Sequence, residues 1–373
     1  IRDRGNKERA NESARQVLFI ITFISVAVSA FCLIFQKPLL RLIFGAVEAD
    51  VMRASEIYFF YTALSFPFIA AYDAAASIFR AQENTRDPML ISMVSNVMNI
   101  VGNAIMIWDF HMGVAGAALA TLISRIFCAV VVLAELRLDR QPIVVRDYLK
   151  IRPDWRMIRR ILGIGIPSGV ENSMFQLGKL AIQSTVSTLG TTAIAAQAMT
   201  NILENLNGIG GIGVGIGLMT IVGQCLGADR KDEAVYYIKK LCVIAEIVMA
   251  ASCVIVFALT KPITILGGME PESAKMCFHM VMWITIVKPL AWIMSFIPAY
   301  GMRAAGDAKF SMITSCCTMW ACRFCLCVFL IRVMGFGPMG VWIGMFADWT
   351  VRSIIFTWRF HSRKWPVSYT HLR

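Results

Sequence analysis

Ten ionisable side chains sit inside long apolar runs of this sequence: Asp73, Arg125, Glu171, Lys179, Glu204, Glu246, Lys288, Arg323, Asp348 and Arg352. Each costs about 2.5–3.5 kcal/mol when placed at the centre of a bilayer, so each needs a partner, a wet cavity or a task. A carboxylate in that setting can exchange a proton or hold a sodium ion, because burial favours its neutral form and a neighbouring cation its charged form. Glu171 and Lys179 are eight residues apart, which on one helix leaves them two turns and about 80° apart. That spacing predicts that they line one cavity without pairing. Glu204 is flanked by Asn201, Asn205 and Asn207, and Lys288 precedes Pro289, which frees a backbone carbonyl in mid-run. We expect a cavity lined by Glu171, Lys179, Glu204, Lys288 and Arg323, with Glu171 or Glu204 as the carboxylate that binds the ion.

Asp73, Asn99 and Asp348 are secondary candidates. Asp348 and Arg352, four residues apart, are expected to pair along one helix face and to lock it. Asp73 and Glu246 lie toward the cytoplasmic ends of their runs, where long side chains reach water. Asn96, Asn99 and Asn103 recur at helical spacing, which suits hydrogen bonds between helices first and cavity lining second. Other chemistries find little support. Gly208, Gly210 and Gly213 form a literal G-x-G-x-x-G, but dinucleotide binding needs a strand before it and a helix start after it. Here it lies within an apolar run, where small residues let helices approach. Cys316, Cys317, Cys322, Cys325 and Cys327 have no nearby His at zinc spacing. No metal and no cofactor beyond a coupling ion, H⁺ or Na⁺, is expected. The four histidines lie at run ends or in the tail, and no nucleophile–base pair or phosphate-binding glycine loop appears. The sequence therefore does not read as an enzyme.

The elements that must position these groups are membrane helices. Of 373 residues, 57% are hydrophobic and 16% charged, well below the quarter usual in soluble domains. Ten runs are long enough to span a bilayer as helices: 17–35, 57–79, 89–107, 114–136, 161–187, 195–226, 236–259, 277–300, 310–331 and 339–360. The run 195–226 exceeds one span, which predicts tilt, a kink or some loop. Loops on one side carry 24 Lys and Arg, those on the other side six, and the richer set marks the cytoplasm. The net charge of +12 thus reflects membrane orientation rather than nucleic-acid binding.

The chain also repeats itself. Asn6–Ala10 (NKERA) matches Arg230–Ala234 (RKDEA), and Arg80–Arg86 (RAQENTR) matches Arg303–Lys309 (RAAGDAK). Gly113–Gly116 matches Gly337–Gly340, and Phe66-Pro67 matches Lys288-Pro289. All four anchors share one near-constant offset along the chain, which predicts two homologous lobes. We expect a first lobe over 1–136 with four helices, a basic linker over 137–160 with Tyr148 and Trp155 at the interface, a second lobe over 161–365 with six helices, and a tail over 366–373. The repeat further predicts that the first lobe lacks its first two helices, roughly 75 residues at the repeat period. Two lobes entering from the same side suit a transporter that rocks around a midplane site.

The passages Arg80–Met89 (RAQENTRDPM), Gly113–Thr121 (GVAGAALAT), Gly165–Glu171 (GIPSGVE) and Thr220–Ala234 (TIVGQCLGADRKDEA) give the chain a resemblance to the MATE (multidrug and toxic compound extrusion) family. The resemblance runs in order from Gly5 to Trp365, with one departure at Glu83, where the family usually has Gly. It implies an all-α polytopic fold of twelve helices in two pseudo-symmetric bundles, ten of them present here. It also implies an H⁺- or Na⁺-coupled antiporter that exports organic, often cationic compounds by alternating access, a monomer in the plasma membrane of a bacterial cell. Its partners would be small organic substrates and the lipid bilayer, and no nucleic acid. A family Asp on the first helix cannot be carried over, because no matching helix is present. A flippase for lipid-linked precursors, from the same superfamily, is the alternative. Lys179, Lys288 and Arg323 keep it open. The abundant methionines, 22 in number, would suit a surface that accepts many shapes, and would equally serve as core filler.

Overall fold

The computed structural model describes residues 7–44, 48–138, 143–145 and 153–362. Tyr148 and the tail 366–373, both assigned a place from the sequence, lie outside them. Each of the ten apolar runs is helical. In order they are α1 (Lys7–Ile34), α3 and α4 (Ala49–Leu64 and Phe66–Ala81), α5 (Arg86–Ala104), α6 (Gly113–Glu135), α7 (Trp155–Val186), α8 (Thr191–Gly227), α9 (Lys231–Leu266), α10 (Pro271–Ala304), α11 and α12 (Ala308–Thr318 and Leu326–Arg332) and α13 (Met339–His361). A short α2 (Gln36–Phe44) follows α1. Eight of these passages are long and apolar enough to cross a membrane on composition alone. The other two, α7 and α13, have the length but carry charged residues, among them Glu171, Lys179, Asp348 and Arg352. The expected irregularity in 195–226 takes no loop: α8 is continuous over 37 residues, about 55 Å at 1.5 Å per residue, so it must tilt or extend past the roughly 30 Å hydrocarbon layer.

The chain divides into two compact units, Ile1–Ile161 and Leu162–Arg373. In the first, Ala74, Ala75, Ile78 and Phe79 of α4 pack with Ala10, Ala14 and Leu18 of α1 and with Cys128 and Val132 of α6. Small residues dominate, which allows the close helix approach that membrane packing favours. In the second, the buried faces of α8, α9, α10 and α13 share one core that includes Trp292, Trp342 and Trp349. Glycines of α8 make room for it: a Cβ on Gly211 would stand 2.7 Å from the Trp292 ring, and one on Gly215 2.6 Å from that of Tyr300. Many outward positions are large and apolar, such as Ile100, Trp108 and Leu290, as lipid contact requires.

The backbone carries the repeat as well. Left-handed residues occur at Glu83, His111 and Gly113 in the first unit and at Gly306, Gly335 and Gly337 in the second. The Asn84 N–H donates to Phe79 O, and the Asp307 N–H donates to Met302 O, the same hairpin one repeat later. The Phe110 N–H to Ile105 O bond recurs as Met334 N–H to Phe329 O. Glu83, the departure from the family pattern, therefore stands at the position where its repeat-mate is Gly306, with φ of 68° and 87° respectively. A residue with a Cβ is strained there by about 1–2 kcal/mol.

Candidate functional site

All five principal candidates belong to the second unit; four are buried or half-buried in it, and Lys179 is exposed. Lys288, one residue before Pro289 in the middle of α10, is fully buried, with 0% of its side chain exposed. Its Nζ donates to Glu204 Oε1 at 2.7 Å and to the Glu204 backbone carbonyl at 2.8 Å. The ring of Trp292, one turn on, lies 5.8 Å from the ammonium. Glu204 retains 16% exposure. The two groups meet because α8 and α10 pack along their length, with Gly208 beside the pair. Asn207, on the same buried face of α8, has neither side-chain atom bonded.

Toward the cytoplasmic end, Glu171 of α7 is buried and bonded twice. Arg303 Nη2 donates to its Oε1 at 2.6 Å, and the Ser311 hydroxyl donates to its Oε2 at 3.4 Å. Arg303 Nε in turn donates to the Ser311 hydroxyl at 3.3 Å. Lys288 and Arg303 are fifteen residues apart on α10, so the two ion pairs stand about 22 Å apart along that helix. Sequence reasoning assigned Arg303 to a cytoplasmic loop. It belongs to the last turn of α10, as its repeat-mate Arg80 belongs to the last turn of α4; the apolar runs end before both residues and gave no signal for it. Asp348 and Arg352 pair along α13 at 3.2 and 3.4 Å, both buried. The Arg352 guanidinium is clasped between Phe175 and Phe296, 4.8 Å from each ring. Arg323 is buried in a π-helical stretch, Met319–Cys325, between α11 and α12. It lies within electrostatic range of Asp348 and Glu204.

Lys179 is exposed on α7 and has no hydrogen-bond or ion-pair partner among the described residues. Glu171, expected from the spacing to share a lining with it, is buried on the same helix. Their angular separation around α7 is enough to turn one side chain into the unit and the other out of it. In the first unit, Arg125 donates to the Ser65 hydroxyl at the break between α3 and α4. Asp73 is exposed, with Arg80 and Arg125 as its electrostatic neighbours. Asn99 donates to Thr121 Oγ1 and Ser124 Oγ at 3.2 and 3.3 Å, a link between α5 and α6, and Asn103 donates to Asn99 Oδ1. Glu246 is half-buried on α9. A pocket of about 300 Å³ in this first unit, lined by Ile21, Ile24, Ser25, Val28, Phe66, Ile69 and Ala70, holds no ionisable group. Among the described residues no cluster of His, Cys, Asp and Glu is arranged to hold a metal ion.

The chain that carries these ion pairs is similar in sequence and fold to known proteins. The family model MatE matches residues 4–105 and 167–329. A probable multidrug resistance protein NorM of Thermotoga maritima is 25% identical over 368 residues, covering 97% of this chain and 78% of the relative. The uncharacterized transporter YisQ of Bacillus subtilis is 26% identical over 365 residues, covering 96% and 79%. A MATE crystallised in complex with MaL6 matches the fold with a TM-score of 0.86 at 18% identity, over 96% of this chain and 81% of that one. A MOP superfamily transporter from Pyrococcus furiosus matches with a TM-score of 0.87, also at 18% identity, over 97% and 80%. The relatives described as multidrug resistance proteins weigh against the flippase alternative. With its model matched across both units, the chain belongs to the MatE family: it is a multi-pass membrane transporter, not an enzyme.

Proposed function

We propose that this protein exports organic compounds across the plasma membrane by alternating access, driven by inward flow of H⁺ or Na⁺, with Glu204 as the coupling carboxylate. The observation that carries the reading is the Glu204–Lys288 pair. A fully buried ammonium at mid-helix is neutralised by one carboxylate that itself keeps some exposure, so a proton or a sodium ion arriving at Glu204 competes directly with Lys288 for the same oxygen. Taking the negative charge away from Lys288 destabilises the arrangement of α8 against α10. Pro289, beside the lysine, leaves a backbone carbonyl on α10 without its usual donor and so marks a point where that helix can bend. A coupling ion thus has a physical route to a change in helix packing, which is what ion-driven exchange requires. Glu171, tied to Arg303 and Ser311 at the cytoplasmic end, holds α7 to the ends of α10 and α11 and acts as a positioning residue.

Dye efflux from cells expressing the protein tests this. Glu204→Gln is expected to lower energy-dependent extrusion at least tenfold, and Glu171→Gln to lower it less. Extrusion unchanged in Glu204→Gln refutes the coupling assignment. Extrusion that survives both an uncoupler and removal of sodium refutes the antiport reading.

A further inference from the structure

Arg323 is a buried cation with no counter-charge in contact among the described residues. It is 8% exposed, and among the described residues its guanidinium has neither a hydrogen-bond acceptor nor an ion-pair partner. Its Nε is sealed from solvent without a partner, while the two Nη atoms, also unbonded, keep accessible surface. The acids that act on it from a distance are Asp348 and Glu204, opposed by Arg352. Both are committed elsewhere, Asp348 to Arg352 and Glu204 to Lys288. Glu246, on α9, is not among the groups that act on Arg323.

The repeat shows that this is not forced by the fold. Arg323 is the repeat-mate of Asn99, and Asp348 is the repeat-mate of Ser124. In the first unit Asn99 and Ser124 are joined, Asn99 Nδ2 donating to Ser124 Oγ. In the second unit the link is not made, because Asp348 turns along its own helix to Arg352. The helix also differs: Asn99 lies in regular α-helix, whereas Arg323 lies in a π-helical stretch. π-helical turns within helices are rare and recur at functional sites. Arginine's planar fork matches a carboxylate or phosphate with two parallel hydrogen bonds.

We infer that Arg323 anchors an oxyanion, a carboxylate in the first place, carried by the transported compound, so that the cargo range extends to organic acids and zwitterions. The inference rests on the export reading above. It is tested with the whole protein in phosphatidylcholine nanodiscs, by fluorescence anisotropy of two xanthene dyes of similar size: fluorescein, which bears a carboxylate, and rhodamine 6G, a cation. Arg323→Gln is expected to lower the fluorescein-to-rhodamine affinity ratio at least tenfold, with Arg323→Lys retaining part of the preference. Thermal unfolding of the same variants separates binding from folding. The melting temperature of Arg323→Gln is expected not to fall, since among the described residues no hydrogen bond or ion pair depends on the guanidinium. A ratio unchanged in Arg323→Gln overturns the inference, as does a variant that melts lower and loses both dyes equally. If phosphatidylglycerol added to the discs displaces fluorescein from the wild type and not from Arg323→Gln, the anion held is a lipid headgroup and the cargo assignment falls. Wild type that binds rhodamine 6G but not fluorescein removes this inference alone, and wild type that binds neither removes the export reading with it.

Discussion

The Glu204–Lys288 pair gives an asymmetric expectation. Lys288 is wholly buried and has two oxygen acceptors, both from Glu204, plus the Trp292 ring at 5.8 Å. Glu204→Ala takes away the carboxylate and leaves an ammonium with one backbone carbonyl. Breaking a buried pair in this direction costs about 3–5 kcal/mol. Lys288→Met, in contrast, leaves a carboxylate that is 16% exposed and can turn toward water, so the cost is about 1–2 kcal/mol for the lost charged hydrogen bonds. The double variant Glu204→Ala, Lys288→Met leaves no stranded charge and replaces the pair with apolar side chains, a change that is often neutral. We therefore expect the two single costs, about 4–7 kcal/mol together, to exceed the cost of the double by most of that sum. Thermal unfolding in detergent reads this out. At roughly 2–4 °C per kcal/mol, Glu204→Ala should lower the melting temperature by on the order of 10 °C, Lys288→Met by less, and the double by least. If Lys288→Met is the more damaging, or if the double variant is additive, the pair is not the buried, mutually neutralising unit described here.

Other expectations follow from the same geometry. Glu171→Gln should lower stability by about 1–2 kcal/mol, because Arg303 keeps some exposure and can rehydrate while Ser311 retains an amide partner; chemical unfolding of the purified protein checks it, and no loss would mean that the Arg303–Glu171 bond holds nothing. Gly306→Ala, at φ 87°, should destabilise by about 1–2 kcal/mol, a drop in melting temperature that would be missing if the loop could relax. Gly211→Val should cost about 1–3 kcal/mol through collision with Met249 and Trp292, visible as reduced yield of monodisperse protein and a lower melting temperature.

The helices were legible in the sequence because a bilayer leaves a coarse mark: long apolar runs, punctuated by Gly, Pro and charge. The i,i+4 spacing of Asp348 and Arg352 was enough to foresee a contact on a single helix. Pairing between helices was a different matter. Glu204 and Lys288 are 84 residues apart, and Glu171 and Arg303 are 132 apart. Helices that are apolar on nearly every face give no periodic signal for which side turns inward, so the rotation of α7 that buries Glu171 and exposes Lys179 could not be read from spacing. The π-helical stretch around Arg323 was hidden for a related reason. It shifts register by less than a residue per turn, and no turn residue announces it. The repeat was the more informative guide, since it aligned Gly306 with Glu83 and Arg303 with Arg80 before any contact was known.

The residues just past α6 have a consequence for how the first unit can move. The backbone N–H groups of Ile143, Val144 and Val145 donate to Gln82 Oε1, Asn11 Oδ1 and Leu136 O, and Asp154 N–H donates to Gln16 Oε1. One stretch of chain thereby laces the cytoplasmic rims of α1, α4 and α6 together, as a drawstring closes the neck of a bag. Because the knots are tied by main-chain amides, replacing side chains within the stretch leaves them intact, whereas altering Asn11, Gln16 or Gln82 unties them. These bonds fix the cytoplasmic rim through Asn11, Gln16 and Gln82, three polar side chains on largely apolar helices.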